Sequence, residues 1–225
     1  MGWTKQFFSS SIGRKFAMAL SALFLIIFLL QHFVINFTSV LSPDLFNQLS
    51  HFMGTNPLVQ FALQPILLLG VVFHFVMGFV LEIQNKRARG VGYAMNKGSA
   101  NASWVSRNMI YTGLFILLFM GFHFYDFWIP EINKKYIIGI TPDAERYYGE
   151  VVHMFQNPVR VGVYCLSFVF LALHLMHGFQ SAFQSVGVNN EKYTPGIQKL
   201  GKLYAILIPA GFVFIALYHF IFNSH

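Results

Sequence analysis

The stretch FAMALSALFLIIFLLQHFVINF, residues 16–37, decides the fold of this chain. It contains no Asp, Glu, Lys or Arg and is long enough to cross about 30 Å of hydrocarbon as a helix. It also exceeds the roughly 7–15 apolar residues of a secretion signal, and no small-residue cleavage site follows it. We therefore expect the first of several transmembrane helices here.

The remainder of the chain repeats this pattern. Its residues are 56% hydrophobic and only 10% charged, whereas soluble proteins carry about 25% charged residues. Four more apolar runs follow, with most charges confined to the connections between them. The predicted fold class is an all-α integral membrane protein, a bundle of five transmembrane helices in a single membrane domain over residues 1–225. The predicted spans are residues 14–40, 57–84, 104–128, 158–184 and 200–222.

Basic residues are unevenly divided between the two ends of this bundle. The N-terminus and the connections after the second and fourth spans carry eleven Lys and Arg, and the opposite end carries four. The positive-inside rule makes the first end cytoplasmic, so we expect the N-terminus in the cytoplasm and the C-terminus outside. Topology thus accounts for the net charge of +7, and we expect no nucleic-acid partner.

Histidines lie well inside the first four spans, where ionisable residues are costly and usually functional. At 1.5 Å per residue, His32 and His123 lie about 27 and 28 Å from the cytoplasmic ends of their helices. By the same rise, His74 and His174 lie only about 15 Å from those ends. The depths predict two layers, which we name the outer pair (His32 with His123) and the inner pair (His74 with His174).

Two layers of paired imidazoles suit two haems, because iron in a porphyrin takes axial ligands from opposite sides. No C-x-x-C-H motif occurs, so covalent c-type attachment is excluded and haem b remains. Gly78 and Gly178 follow the inner histidines by four residues, on the same helix face, and leave room for the macrocycle. His177 competes with His174 as the fourth iron ligand. Zinc fits less well, since no carboxylate or thiolate ligand lies at these depths.

Other histidines favour structural interpretations. A single membrane histidine can simply be a hydrogen-bonded core residue. His219, near the outer end of the fifth span, is expected to reach towards the membrane interface. His153 is expected on the surface of an amphipathic segment between the third and fourth spans.

Five segments carry a resemblance to a known family. They are QHFVINF around His32, LFNQLSHFMGTNP before the second span, FHFVMG around His74, GFHFYD around His123, and HLMHGFQSAFQSVGV at the end of the fourth span. In order, spacing and topology they resemble the cytochrome b membrane anchor of bacterial succinate dehydrogenases and fumarate reductases, in its single-subunit, five-helix, two-haem form. The resemblance runs from about residue 14 to residue 184, and the fifth span matches only as an apolar helix.

This resemblance implies a function and partners. Such an anchor sits in the bacterial cytoplasmic membrane and binds a flavoprotein subunit and an iron–sulfur subunit on its cytoplasmic side. It passes electrons between the iron–sulfur subunit and a quinone, which is menaquinone in most two-haem members. The family's iron ligands fall on the same four histidines that the depths select. The physiological direction, succinate oxidation or fumarate reduction, is left open.

Two further groups of residues are candidates for supporting roles. A set at the cytoplasmic end lies at the depth of the inner haem propionates: Ser10, Ser11, Arg14, Trp104 and Arg107. The connection between the first two spans offers proton-exchanging or polar groups for a quinone site: Asp44, Asn47, Gln48 and His51, with Asp126 close by. His51 is the leading proton relay because imidazole titrates near neutral pH. Some fumarate reductases place an essential acid where Asn47 stands here.

Two other functions remain open at this point. One is the di-haem cytochrome b anchor of another oxidoreductase, such as a hydrogenase or a formate dehydrogenase. The other is a transporter or proton channel that uses its histidines as relays. The first would purify with different partner subunits, and the second would show no haem absorbance.

Overall fold

The computed structural model describes residue 2 and residues 10–88, 108–139 and 143–223. Within these ranges the chain is helical, without a strand, and five helices are long and apolar enough to cross a membrane. The predicted all-α fold with five spans is confirmed, while the sides on which the termini lie remain a prediction. The five spans are Ser11–Leu41, Val59–Arg87, Met109–Ile138, Pro158–Ser185 and Thr194–Phe222.

Helix starts agree with the prolines in the sequence. Asn56 Oδ1 accepts the N–H of Leu58 at 3.0 Å, and Asn157 Oδ1 accepts the N–H of Val159 at 2.9 Å. Each cap is followed directly by a proline, whose missing N–H costs nothing in a first turn. The helices are α1 (Ser11–Leu41), α2 (Pro43–Thr55), α3 (Gln64–Ala88, after a π-helical turn at Val59–Leu63), α4 (Met109–His123), α5 (Ile129–Ile132), α6 (Arg146–Phe155), α7 (Pro158–Ser185) and α8 (Thr194–Phe222).

The connection between the first two spans forms a helix of its own, α2. Ser42 separates α1 from α2, and its hydroxyl accepts the N–H of Leu45 at 3.3 Å. Pro43 occupies the first turn. Phe46 is buried and belongs to the hydrophobic core. The connection therefore forms part of the packed structure.

The third span is longer than predicted. It was expected to end at residue 128, where the apolar run stops, but a π-helical turn (Phe124–Trp128), α5 and a second π-helical turn (Asn133–Ile138) carry it to Ile138. Pro130 falls in the first turn of α5, where proline is tolerated. The helix ends at Gly139, whose φ of 72° suits glycine.

Contacts between spans show how the bundle is threaded. Glycine contacts on α3 pair Gly70 with Phe24 and Gly78 with Met18, so α1 and α3 run antiparallel. Contacts between α4 and α7 show that these helices are antiparallel, because later residues of one contact earlier residues of the other. The contacts between α7 and α8 show the same relation. Residues on α1 and α8 instead rise together, from Tyr204 Oη bonded to the carbonyl of Ile26 to the ring of Phe212 on Phe33. The bundle therefore consists of two antiparallel hairpins, α1/α3 and α4/α7, plus α8.

The hydrophobic core lies at the end of the bundle away from the start of α1. There α2 and α6 cover α7 and α8, so this end is packed more completely than the lipid-facing surfaces. Large apolar residues at mid-span remain exposed, as Ile27 and Leu69 do at 69% each, which suits contact with lipid. The core residues are Phe46, Val151, Phe155, Val161, Tyr164, Phe168, Ile208, Phe212, Ile215 and Ala216.

The prediction for His219 was wrong. Its side chain is completely buried at 0% exposure rather than reaching the interface. Ser39 Oγ lies 2.9 Å from Nε2 and donates its own hydrogen to the carbonyl of Asn36, so Nε2–H donates to Ser39. Asn223 Nδ2 lies 3.0 Å from Nδ1 and donates to it. His219 is thus a neutral, satisfied core histidine that joins α8 to α1, and α6 shields it through Phe155.

Candidate haem centres

The four histidines of the predicted outer and inner pairs come together as those two pairs. The rings of His32 on α1 and His123 at the end of α4 have centroids 5.8 Å apart, with planes at 85°. The rings of His74 on α3 and His174 on α7 have centroids 6.4 Å apart, with planes at 74°. Each pair takes one residue from each antiparallel hairpin, and these are the partners that the depths predicted.

Both separations fit a metal between two imidazoles. In such a site each nitrogen lies about 2.0 Å from the metal and each centroid about 1.1 Å behind its nitrogen, so the centroids are about 6.2 Å apart. The observed centroid distances of 5.8 and 6.4 Å lie on either side of this value. Each pair therefore fits the two axial positions of one haem iron.

Hydroxyl groups hold the inner pair from behind. Ser21 Oγ on α1 lies 3.1 Å from Nδ1 of His74, and Thr112 Oγ1 on α4 lies 3.2 Å from Nδ1 of His174. Each contact crosses from one helix of a hairpin to the other. His177 lies one turn beyond His174 and is half-buried; the ring that faces His74 is that of His174.

The two glycines beside the inner pair, Gly78 and Gly178, each lie opposite a methionine side chain. A Cβ on Gly78 would lie 3.7 Å from the methyl carbon of Met18, and one on Gly178 would lie 3.4 Å from that of Met109. These are ordinary contacts with the far ends of flexible side chains. The predicted role of these glycines, room for a macrocycle, stays a prediction.

Aromatic rings enclose the outer pair. The imidazole of His32 stacks on Phe28 at 5.5 Å with planes 19° apart, and Phe212 lies 5.8 Å away. His123 contacts Phe127 at 5.3 Å and Phe119 at 5.7 Å. These rings exclude water from the pair and leave it in an apolar setting.

A network of hydrogen bonds that includes two charged residues links His123 to side chains at the far end of the bundle. Arg160 Nε and Tyr164 Oη both donate to Oδ2 of Asp126 at 3.0 Å, and Tyr164 Oη lies 3.5 Å from Nδ1 of His123. Asp126 is 2% exposed, and its other oxygen, Oδ1, has no hydrogen-bond partner among the described residues. Asp126 lies in the π-helical turn that follows His123, and π-bulges are frequent at functional sites.

The sequence had pointed to only part of this arrangement. Asp126 was noted as lying near the quinone candidates, but Arg160 and Tyr164 were not singled out. Their signal was an i, i+4 spacing that places both on one face of α7. That spacing acquires meaning only once α7 is packed against the end of α4.

Comparison with known proteins identifies a relative. The chain is 23% identical over 192 residues to the succinate dehydrogenase cytochrome b558 subunit of Bacillus subtilis (strain 168). The match covers 85% of this chain and 86% of the relative. The chain is similar to a cytochrome b subunit of succinate dehydrogenase. The resemblance seen in the sequence is therefore confirmed. No family model and no solved structure matches the chain.

The residues predicted to lie near haem propionates differ in how much the structure describes of them. Arg14 lies in the first turns of α1, and its buried Nε has no hydrogen-bond partner among the described residues. An unpartnered guanidinium nitrogen of this kind fits an anionic carboxylate. Ser10 caps α1, where it accepts the N–H of Gly13 at 2.9 Å, and Ser11 is exposed. Trp104 and Arg107 lie outside the described residues.

The three residues predicted for a quinone and proton site differ in their surroundings. Asp44 is exposed in the first turn of α2. Asn47 is fully engaged, since its amide donates to the carbonyl of Glu145 at 3.0 Å and its Oδ1 accepts the N–H of Tyr148 at 2.7 Å. His51 has a buried Nδ1 with no partner within the part of the chain that is described. Of the three, His51 retains a buried polar atom available to a ligand.

An ionic cluster fastens α6 to the extension of the third span. Arg146 pairs with Glu131 and, at 2.8 Å, with Glu150, while Lys134 pairs with Glu150 and Lys135 with Glu131 at 2.5 Å. Burial alone would lower the pKa of Arg146, but the hydrogen bonds and charges of Glu131 and Glu150 outweigh it and raise the pKa. These pairs explain why the third span continues past its apolar run.

A cavity of about 370 Å³ opens beside this cluster. Asp126 lines it together with other charged or titratable side chains and with the apolar residues Phe127, Pro130 and Met154. A cavity of mixed polar and apolar lining thus adjoins the buried carboxylate near the outer pair. The polar lining residues are Asp126, Lys134, Arg146, Glu150 and His153.

Proposed function

We propose that this chain is the di-haem b membrane anchor of a succinate:quinone oxidoreductase, which carries electrons between an iron–sulfur subunit and menaquinone. The observation that carries the proposal is the meeting of four histidines, from four spans, as two pairs with ring separations suited to one iron each. The similarity to a succinate dehydrogenase cytochrome b558 subunit supports it independently. It also disfavours a hydrogenase or formate dehydrogenase anchor, and the chain itself performs no dicarboxylate chemistry.

In this proposal His74 and His174 hold the inner haem and His32 and His123 hold the outer one. When bound, the haems supply one-electron transfer. Thr112 lies level with His174, and His123 is 11 residues further along the third span, so the two pairs are roughly 16 Å apart along the bundle. That is about half of the ~30 Å hydrocarbon thickness, so the two sites together bridge much of the membrane.

Side chains around each pair have distinct tasks. Phenylalanine rings keep water from the outer pair, and hydroxyl groups orient the inner one. Arg14 would bind an inner propionate, with Trp104 and Arg107 as the remaining candidates. Positive charge at this end of the bundle fits the cytoplasmic side, where the flavoprotein and iron–sulfur subunits of a bacterial enzyme in the cytoplasmic membrane would dock.

Quinone chemistry requires groups that exchange protons near the outer pair. His51 and Asp126 are the best supported, because each has a buried polar atom without a protein partner in the described chain. The cavity beside Asp126 also contains titratable side chains, which could exchange protons with that carboxylate. Asp44 would act only from the exposed surface, and Asn47 mainly positions α2 against α6.

The first experiment is a reduced-minus-oxidised optical spectrum of the purified chain, with haem counted per polypeptide as the pyridine haemochrome. Two b haems per chain are expected. Membranes from haem-supplied cells that contain the chain without haem would overturn the proposal and favour a histidine-relay transporter. Affinity purification from the native membrane then tests for a flavoprotein and an iron–sulfur subunit.

A further inference from the structure

The inner pair is built from the same local arrangement twice. In the first hairpin, Met18 and Ser21 on α1 face His74 and Gly78 on α3. In the second, Met109 and Thr112 on α4 face His174 and Gly178 on α7. In both, a methionine precedes a hydroxyl residue by three positions, and a histidine precedes a glycine by four. This repetition indicates that the hydroxyl contacts are specific rather than incidental.

The direction of each hydrogen bond follows from where the hydroxyl hydrogen goes. Ser21 Oγ donates to the carbonyl of Met18 at 2.7 Å, and Thr112 Oγ1 donates to the carbonyl of Met109 at 2.9 Å. A hydroxyl has one hydrogen, so each oxygen can offer only a lone pair to the nearby imidazole. Nδ1 of His74 and of His174 must then be the protonated nitrogen.

We propose that Ser21 and Thr112 are positioning residues that fix both inner histidines in the tautomer with Nδ1 protonated and Nε2 free. The free Nε2 lone pair is the form that binds iron, and a hydrogen bond from Nδ1–H orients the ring and makes it a stronger donor to the metal. The inference rests on the proposed haem function. It adds that the chain prepares the inner pair for iron before any haem arrives.

Among the residues that the structure describes, the outer pair has no equivalent acceptor. Nδ1 of His32 lies 3.4 Å from the amide nitrogen of Asn36, which is itself a donor and bonds to the carbonyl of His32 at 2.8 Å. Within the described chain, the partner recorded for Nδ1 of His123 is Tyr164 Oη, at the hydrogen-bond limit of 3.5 Å. Variants of Ser21 and Thr112 should therefore change the inner haem and leave the outer haem as an internal reference.

The decisive variants remove the hydroxyl, and their matched controls keep the hydroxyl and change only a methyl group. Thr112→Val keeps the shape of the side chain and removes the acceptor, whereas Thr112→Ser keeps the acceptor and removes a methyl group. Ser21→Ala and Ser21→Thr form the matching set on the other hairpin. Haem per chain, the affinity for added haem and the midpoint potential of each haem are measured on the intact complex.

Loss of such an orienting partner typically weakens metal binding 10–100-fold. We expect Thr112→Val and Ser21→Ala to lower inner-haem affinity about tenfold or to raise its midpoint potential, by about 59 mV if the tenfold loss falls on the ferric form alone. Thr112→Ser and Ser21→Thr should match the parent chain. Retained outer haem shows that the fold is intact.

The outcomes separate this inference from the proposed function. A parent chain without haem would contradict the function itself, whatever the variants do. A parent chain with two haems, together with Thr112→Val and Ser21→Ala variants whose inner haem keeps the parent's affinity and potential, would overturn only the positioning role. Equal loss in Thr112→Val and Thr112→Ser would assign the effect to packing and also overturn it.

Discussion

The phenol of Tyr164 donates a hydrogen bond to Oδ2 of Asp126 at 3.0 Å, on a carboxylate that Arg160 also holds at 3.0 Å. Removing the carboxylate leaves the partly buried Arg160 charge uncompensated, so Asp126→Ala should destabilise the fold strongly. Breaking a buried pair in this way costs about 3–5 kcal/mol, and the 25% exposure of Arg160 places the expected cost at the lower end. Thermal unfolding of the detergent-solubilised chain measures it.

The matched control removes both charges. Asp126→Leu combined with Arg160→Met should recover much of the stability, since no unpaired charge remains. If the double variant unfolds as readily as Asp126→Ala, the charge pair is not the cause of the loss.

Individual iron ligands can be assigned by substitution. His74→Ala or His174→Ala should abolish the inner haem. The outer spectral component should stay at least partly intact, because the outer ligands lie at a different depth in the bundle. His177→Ala should retain both haems. The measurement is the pyridine haemochrome per chain together with low-temperature optical spectra. Two haems in His174→Ala, with one lost in His177→Ala, would reverse the assignment of the fourth ligand.

Burial of His219 makes it a structural residue. His219→Ala should reduce stability by about 2–4 kcal/mol, because it leaves a cavity and deprives Ser39 and Asn223 of a partner. Ser39→Ala should cost less, about 1 kcal/mol. Both variants should keep two haems, which spectroscopy on the folded protein checks. Unfolding curves that superimpose on the parent's would show that the buried contact contributes nothing.

Close packing between α8 and α1 predicts a specific steric effect. A Cβ on Gly211 would lie 2.3 Å from a ring carbon of Phe33. This is closer than van der Waals contact allows, so the ring or a helix would have to move. Gly211→Ala should therefore lower thermal stability, and adding Phe33→Leu should restore part of it. Gly162→Ala is the control, since among the described residues no atom outside the local helix backbone lies within 4 Å of its added carbon. There the change should be neutral or stabilising by up to about 1 kcal/mol, as helix propensity favours alanine.

Pairing of the histidines could be predicted because the rise of a helix is the same everywhere. Counting residues from a helix end converts position into depth, so His32 and His123 were matched without knowledge of their neighbours. The supporting residues could not be found in this way. A hydroxyl such as Ser21 or Thr112 in an apolar run has many local uses, and only the packed partner shows which one applies.

The errors have a common physical cause. The third span was ended at residue 128 because charges follow, but Glu131 and Lys135 are neutralised by pairing, with α6 supplying Arg146. His219 was assigned to the interface because it lies near a helix end, but α2 and α6 cover that end. In both cases a polar residue looks solvent-exposed from its local sequence, but another helix packs against it and supplies a partner or shields it.

Each histidine pair takes one ring from α1/α3 and the other from α4/α7. During synthesis, the first hairpin leaves the ribosome with one histidine of each pair. Neither proposed site then has both of its axial ligands. The second ligand of the outer site becomes available when the third span is in place, and that of the inner site only after the fourth. If the two pairs bind haem as proposed, assembly of the holoprotein has a fixed order, and haem binds only after the two hairpins have met inside the membrane.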